Sequence, residues 1–168
     1  MKYPFRTLLI FFIAGILTVS CRNVNYITDP DAKLSFSKDT VHFDTVFNGI
    51  GSATRYFIIY NQNELPVNVS QIKLQGGEDS KFRINVNGIA SDEFTDVSIN
   101  GNDSIFVFAD VHVDPENDEI IEYDQIRFYT NGNEQTVHLL AYGQDIHLLS
   151  DSVINTQTWT NDKPYVIY

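Results

Sequence analysis

The fold is decided by the stretch Ser104-Ile-Phe-Val-Phe-Ala-Asp-Val-His-Val113, in which every second residue is apolar. Side chains of an extended chain point alternately to opposite sides, so the aliphatic residues of this stretch share one face. They are Ile105, Val107, Ala109, Val111 and Val113. The other face begins with Phe106 and Phe108 and turns polar at Asp110. This alternation predicts a half-buried β-strand.

The same alternation recurs on both sides of this stretch, with turn signals between the runs. The predicted strands are residues 40–47, 54–60, 66–74, 81–86, 93–99, 104–113, 121–130 and 135–143. Asn-Gly, a strong signal for tight hairpin turns, occurs at residues 48–49, 87–88, 100–101 and 131–132. Beyond the first twenty residues no window has helical spacing of apolar residues. These patterns predict an all-β, immunoglobulin-like Greek-key β-sandwich of about seven to nine strands over residues 34–149.

The charge balance restricts the partners of this domain. The chain has 168 residues, with 22 acidic against 11 basic side chains and a formal net charge of −11. Without Lys2 and Arg6, the 148 residues after residue 20 carry 9 basic and 22 acidic side chains, a charge of −13. Binding to nucleic acid requires clustered Lys and Arg, so the composition argues against it. The 12 Phe and 9 Tyr are enough for a packed core.

The first twenty residues read as a signal peptide. Two basic residues precede an uncharged apolar run at residues 8–17, too short to span a bilayer alone. Cys21, the only cysteine, follows Ser20. This resembles the lipobox of bacterial lipoproteins, in which the cysteine is acylated (palmitate or a related chain) and becomes the new N-terminus. The resemblance implies a lipid anchor at Cys21 and a tether over residues 21–33.

The residue after the cysteine is Arg22 rather than Asp, and the resemblance then implies the outer membrane rather than retention in the inner membrane. Surface-exported lipoproteins usually carry an acidic cluster directly after the cysteine, which this chain lacks. We therefore expect a cell-envelope, outer-membrane protein, with periplasmic and surface-facing orientations both open.

Ordered phrases over the sandwich carry a more specific resemblance. They are Tyr56-Phe-Ile-Ile-Tyr-Asn61, Leu65-Pro-Val-Asn-Val69, Phe82-Arg-Ile84 and Val137-His-Leu-Leu-Ala-Tyr-Gly143. They are similar to the immunoglobulin-like ASH (Hydin-type) domain. Together with Phe43-Asp-Thr-Val-Phe47, they resemble still more the N-terminal segment of uncharacterised Bacteroidota lipoproteins.

In those proteins the sandwich leads into a right-handed parallel β-helix. Here Trp159 and Pro164-Tyr-Val-Ile-Tyr168 match the phrase that precedes the β-helix. The resemblance therefore implies that residues 150–168 are a linker and the start of a β-helix that is cut short. An independent short protein, whose last strand pairs back onto the sandwich, is the alternative.

Candidate chemistry is sparse. No Gly-x-Ser-x-Gly motif occurs, the histidines lack metal-binding spacing, and Cys21 is used as the anchor, so we expect no enzyme activity and no cofactor. Asp114, Glu116 and Asp118 are spaced like the start of a calcium loop. The glycine and the closing glutamate of such a loop are absent, which makes calcium binding a weak prediction and a solvated connection the alternative.

A tripeptide of Asp, Ser or Thr, and a β-branched aliphatic residue occurs four times. It resembles the O-glycosylation acceptor of exported Bacteroidota proteins, which would place glycans on Thr40, Thr45, Ser104 and Ser152. The alternative is that Asp with Ser or Thr simply begins strands.

The sequence therefore favours a non-enzymatic envelope lipoprotein whose sandwich acts as a spacer or a protein-interaction module. The alternative is a carbohydrate-binding or glycan-handling component. Tyrosines that fall on predicted strands are its candidate residues, although a core would use aromatic residues too. They are Tyr56, Tyr60, Tyr123, Tyr129 and Tyr142.

Overall fold

The computed structural model describes residues 24–114, 121–151, 153–156 and 158–167. Within them the chain forms strands and one 3-10 turn at Gly77–Asp79, and no α-helix. The first strands are β1 (Ser35–Phe36), β2 (Thr40–Phe47), β3 (Arg55–Asn61), β4 (Val67–Leu74), β5 (Phe82–Val86) and β6 (Ile89–Ala90). The later strands are β7 (Glu93–Ile99), β8 (Asp103–Val111), β9 (Ile121–Thr130), β10 (Asn133–Gln144), β11 (His147–Leu149) and β12 (Tyr165–Ile167).

Two five-stranded sheets pack face to face. Sheet A has the order β1-β3-β8-β5-β6, and sheet B has the order β2-β10-β9-β4-β7. β11 and β12 pair in parallel as a separate small sheet. Neighbouring strands in sheets A and B are mostly distant in sequence, as in a Greek key. The predicted all-β, immunoglobulin-like sandwich is confirmed.

All eight predicted strands are present, with boundaries within two residues of those expected. The prediction missed β1, β6, β11 and β12. Each of these has only two or three residues, too few for an alternation of apolar and polar side chains to be recognised.

The core lies between sheets A and B and is built from the inward faces of their strands. Phe57 of sheet A meets Phe128 of sheet B edge to face, with ring centroids 6.1 Å apart. Phe36 closes the side of this pair, 4.9 Å from Phe128. Every aliphatic residue on the inward face of the stretch quoted first is buried. The alternation therefore predicted the core face correctly.

Two of the four Asn-Gly dipeptides form the hairpins that were expected. Asn131-Gly132 joins β9 to β10 and Asn87-Gly88 joins β5 to β6, with positive φ at both residues of each pair. Residues 48–49 and 100–101 instead connect strands that lie in different sheets. An Asn-Gly turn allows the chain to reverse direction. Which strand the next segment pairs with depends on the packing of the whole sheet.

Loops gather at two ends of the sandwich. The end formed by residues 62–66, 100–102 and 131–132 is called the lower end here. β10 starts at this end, and β2, whose first residue lies beside His138, runs away from it in parallel with β10. The opposite end, formed by residues 75–81, 112–114 and 145, is the upper end. Among the described residues no helix is long and apolar enough to cross a membrane.

The segment that enters the domain is attached to the lower end. The Ile27 amide donates to the Pro66 carbonyl oxygen at 2.9 Å. The side chain of Gln135 pairs with both backbone groups of Leu34, at 3.0 and 2.9 Å. Ala32 is buried. Within the predicted tether, the part from Ile27 onward is therefore bound to the sandwich.

Candidate binding surface and predicted sites

The outward face of sheet A carries an exposed cluster of aromatic rings. Tyr56, Phe106 and Phe108 are 50%, 44% and 39% exposed. The register of β3 and β8 places Tyr56 opposite Phe108 and Ile58 opposite Phe106. The Tyr56 ring lies 5.8 Å from Phe106 and 6.0 Å from Phe108, centroid to centroid. We call Tyr56, Ile58, Phe106 and Phe108 the aromatic patch.

A lysine borders the aromatic patch. The ammonium of Lys38 lies 5.5 Å from the centroid of the Tyr56 ring and donates to the Tyr56 carbonyl oxygen at 3.0 Å. Cation–π contact of this kind orients the ring and costs the ammonium little hydration at an exposed site. Lys38 has no ion pair with any described residue.

Toward the lower end, the face continues into a shallow groove of about 400 Å³. Tyr60 and Ser104 are opposite each other in the register and connect the patch to this groove. The groove is lined by Tyr60, Asn61, Gln62, Asn102, Asp103 and Ser104, which offer amides, hydroxyls and one carboxylate. The side-chain amides of Gln62 and Asn102 make no hydrogen bond to any described residue.

The outward face of sheet B has a second, separate group of aromatic residues. The Tyr123 hydroxyl lies 2.8 Å from His138 Nδ1, and the two rings stack with centroids 5.9 Å apart. Tyr142 is exposed beside Ile121 in the register. Tyr129 is half-buried on the same face. None of the five predicted tyrosines is a core residue: two lie on sheet A and three on sheet B.

The upper end concentrates acidic groups. Asp124 is buried and accepts hydrogen bonds from the Gly76 amide, the Ser80 hydroxyl and its own neighbour's amide, so its charge is satisfied by the turn that follows β4. Lys81 forms an ion pair with Asp114. Their hydrogen bond raises the pKa of Lys81 and lowers the pKa of Asp114. These contacts fasten the loops of the upper end.

Of the three predicted calcium ligands, only Asp114 lies in the described part of the chain, where Lys81 occupies its carboxylate. Glu116 and Asp118 lie outside the described residues. Among the residues that are described, no three acidic, His or Cys side chains come together as a metal site. Calcium binding stays a prediction.

The predicted O-glycosylation sites differ in their surroundings. Thr45 is exposed, whereas Thr40 and Ser104 are half-buried, and Ser152 lies outside the described residues, as does Cys21. Thr40 begins β2, and the Asp103 carboxylate accepts from the Ser104 amide at the start of β8, at 2.7 Å. At these two positions the geometry is consistent with the strand-starting interpretation, and O-glycosylation stays a prediction. Thr45 lies inside β2, next to Asp44 at φ 55°, so strand initiation does not explain it.

The described residues after the sandwich pack around a stack of three rings. The His147 and Tyr165 rings lie 4.5 Å apart, and the Tyr165 and Trp159 rings lie 4.6 Å apart. His147 Nε2 lies 3.1 Å from the Asp162 carboxylate. The Thr160 hydroxyl and then the His147 ring lower the pKa of Asp162 to about 2. We call residues 145–151, 153–156 and 158–167 the C-terminal unit.

Sequence reasoning identified Tyr56 and Tyr60 as candidates but passed over Phe106 and Phe108. The available signal was the outward face of residues 104–113, which should be polar on a solvent-facing sheet and instead has two phenylalanines. The groove at the lower end had no sequence signal, because its residues come from two loops about 40 positions apart.

The sequence matches no protein-family model and no curated protein sequence. Solved structures align with part of the chain. They include a family 123 glycoside hydrolase from Clostridium perfringens, with 12% identity and a TM-score of 0.46 over 66% of this chain and 26% of that one. A protein of unknown function from Porphyromonas gingivalis aligns with 11% identity and a TM-score of 0.49, over 65% of this chain and 46% of its own.

An ASH/PapD-like domain of human CEP192 aligns over 76% of this chain and 95% of that domain, with 12% identity and a TM-score of 0.41. This chain therefore spans about a quarter and about half of the first two proteins. At these identities the similarity identifies no function. The aligned proteins include an ASH/PapD-like domain and a Porphyromonas protein.

Proposed function

We propose that this chain is a non-enzymatic lipoprotein of the cell envelope, anchored through an acylated Cys21 at the outer membrane. Its β-sandwich holds the C-terminal unit away from the membrane and offers a surface for a partner. We also propose that the chain is related to the N-terminal segment of Bacteroidota lipoproteins, which its sequence resembles. A protein partner is the leading interpretation, and a glycan partner is the alternative developed below.

The observation that carries the proposal is the placement of the two termini of the sandwich. The entering segment binds the lower end through Ile27, whereas β10 delivers the chain to the C-terminal unit at the upper end. β10 has 12 residues, which corresponds to a length of about 40 Å. An anchor three residues before Val24 therefore leaves the C-terminal unit far from the lipid surface.

The edges of sheet B are poor docking sites for another strand. Its two edge strands, β2 and β7, carry Asp44 and Asp96 at φ 55° and 54°. Aspartates in left-handed backbone break the regular row of amides and carbonyls, which opposes strand addition. The edge strands of sheet A have only two residues each. We therefore assign partner binding to a sheet face rather than to an edge.

The anchor is tested by the intact mass of the protein purified from a bacterium that processes lipoproteins. We expect the mass of residues 21–168 plus an acyl-glyceryl group and recovery in the outer-membrane fraction. Cys21→Ser should lose the lipid and the membrane association. A wild-type mass equal to bare polypeptide would overturn the anchor. Additional hexose mass after removal of the lipid would support modification of the predicted threonines and serines.

The orientation is tested with a single fluorescent label, since Cys21 is the only native cysteine. Glu64→Cys places a label at the lower end and Glu78→Cys places it at the upper end, and both positions are exposed. With the lipidated protein in vesicles that carry a quencher on the lipid headgroups, we expect stronger quenching at residue 64. Equal quenching, or stronger quenching at residue 78, would contradict the spacer role.

A further inference from the structure

We propose that the outward face of sheet A binds an uncharged glycan chain along β3 and β8. The inference rests on the glycan alternative above and does not depend on the lipid anchor. We call the aromatic patch together with the groove at the lower end the sugar-binding track. Phe106 and Phe108 are the residues that would contact the ligand.

Aromatic rings are exposed on the outward face of sheet A. Phe57 and Phe128 show that the core has room for phenylalanine, and both are fully buried. Phe106 and Phe108 lie on the same sheet as Phe57 and remain in water, as does Tyr56. Clustered exposed apolar side chains on a folded domain typically mark a binding surface.

The residues of the sugar-binding track are arranged in a line. Three register pairs follow one another along β3 and β8, which are Tyr56–Phe108, Ile58–Phe106 and Tyr60–Ser104. The groove with Gln62 continues the same line. From residue 56 to residue 62 an extended chain covers about 20 Å. A surface of this shape suits a linear chain of several sugar rings better than a compact ligand.

Along this line the side chains change from aromatic to polar. A sugar ring has an apolar face of C–H groups, which packs against aromatic rings, and a rim of hydroxyls that need donors and acceptors. The aromatic patch supplies the rings, and the groove supplies amides and hydroxyls, including the unpaired amides of Gln62 and Asn102. Ligand sites typically combine an apolar surface with a few polar groups that set orientation.

The outward face of sheet A carries no excess of one charge. The sugar-binding track has Lys38 at one end and Asp103 at the other, and next to Phe108 on the same face Asp110 lies opposite Arg83. The charges on this face therefore balance, although the chain after residue 20 carries a net charge of −13. A strongly acidic or basic partner would find no complementary excess on this face. An uncharged glycan requires none.

The test uses the full purified protein in detergent, with or without a lipid on Cys21, and a panel of soluble neutral polysaccharides: a β-glucan, a xylan, a mannan and a starch. Affinity electrophoresis selects the polysaccharide that retards the protein, and calorimetry then measures its Kd. We expect Phe106→Ala and Phe108→Ala to weaken binding by roughly tenfold or more. Gln62→Ala, which leaves the rings intact, should also weaken it.

The matched control is Tyr123→Ala, which removes an exposed ring from the opposite sheet and should leave the Kd unchanged. Thermal melting of each variant verifies that it is folded, and exposed positions should pass this check. The proposal is overturned if no polysaccharide binds, if the phenylalanine variants bind as the wild type does, or if Tyr123→Ala has the same effect. Binding that disappears with added salt, or capture of a protein partner by the same face without any polysaccharide binding, also contradicts it.

None of these results bears on the anchor. A protein that binds no glycan but carries a lipid on Cys21 would retain the proposed spacer function, whereas glycan binding by a protein without lipid would support the sugar-binding proposal and overturn the anchor. The mass and binding measurements therefore separate the failure of one proposal from the failure of the other.

Discussion

The side-chain amide of Asn61 donates a hydrogen bond of 2.9 Å to the backbone carbonyl oxygen of Asn100. The same nitrogen donates to the Leu65 carbonyl oxygen at 2.9 Å, and the amide oxygen accepts from the Asn63 amide at 3.0 Å. Asn61 is buried. A single side chain at the end of β3 therefore joins the loop before β4 to the loop before β8 and organises the lower end.

We predict that Asn61→Ala lowers the free energy of unfolding by roughly 2–4 kcal/mol, because it removes the donor from the buried carbonyl group of Ile99 and from the partly buried carbonyl groups of Leu65 and Asn100. Urea denaturation followed by circular dichroism measures the change. Asn100→Ala is the control, since it removes the same amide from an exposed side chain that makes one long contact, 3.3 Å to Asp103. Equal losses in the two variants would refute the role of Asn61.

We predict that Gly101→Ala destabilises the protein by about 3 kcal/mol or more. A Cβ atom at Gly101 would lie 1.9 Å from the carbonyl oxygen of Glu64, and this backbone contact has no flexible side chain to move aside. Gly51→Ala is the matched control, because its Cβ would meet His112 at 3.8 Å, an ordinary contact. A Gly101→Ala protein with wild-type stability would show that the two loops are not packed as described.

We predict that the C-terminal unit loosens in acid between about pH 4 and pH 2. The pKa of Asp162 falls from its usual 3.8 to about 2 in the folded protein. A lowered folded pKa stabilises the folded state above the unfolded pKa, and this contribution disappears as the pH falls through the folded pKa. Asp145, beside Lys163, has a lowered pKa as well and adds to the same change.

Fluorescence of Trp159, the only tryptophan, reports this transition because its ring stacks on Tyr165. Asp162→Asn should be less stable than the wild type at pH 7 and should show a smaller change in acid. Asp151→Asn, in the same region, should titrate as the wild type does. If Asp162→Asn retains the full acid transition, another group is responsible.

We predict that Asp96→Val destabilises β7 and promotes self-association. A β-branched residue at φ 54° costs about 1–2 kcal/mol, and a strand that straightens to relieve this strain offers a regular edge. Light scattering and urea denaturation measure the two effects. Thr95→Val, on the neighbouring exposed position, should change neither quantity. Asp96→Asn, which tolerates the same backbone, should scatter light as the wild type does.

The fold was predictable where side-chain alternation extends over five or more residues. β8 has nine residues, and its inward face is apolar from Ile105 onward. β9 has ten residues and buries Ile126 and Phe128 on its inward face, beside polar residues at its two ends. β6 and β12 have two and three residues, and their existence depends on a neighbouring strand rather than on their own pattern. The pairing of β11 with β12 was likewise beyond the reach of local reasoning, although the sequence pointed to a new structural element near Trp159.

The candidate surface was predictable only in part. Tyr56 was identified from its position on a strand, and the outward phenylalanines of β8 were visible in the sequence. Their meeting depends on the register of β3 with β8, which joins residues about 50 positions apart. No periodicity along one strand contains that register, so the aromatic patch emerged only when the two strands were placed side by side.

The sequence by itself determined which side of each long strand faces the core, where hairpin turns are allowed and that the chain after residue 20 is acidic. These are local properties, set by the alternation of side chains along an extended backbone and by the φ angles that Asn and Gly tolerate. The tertiary structure decided which strands are neighbours, that the entering segment and the C-terminal unit lie at opposite ends, and that three exposed rings share one face. Strand pairing satisfies backbone hydrogen bonds and buries apolar faces across the whole domain, and a single strand's sequence does not encode that collective choice.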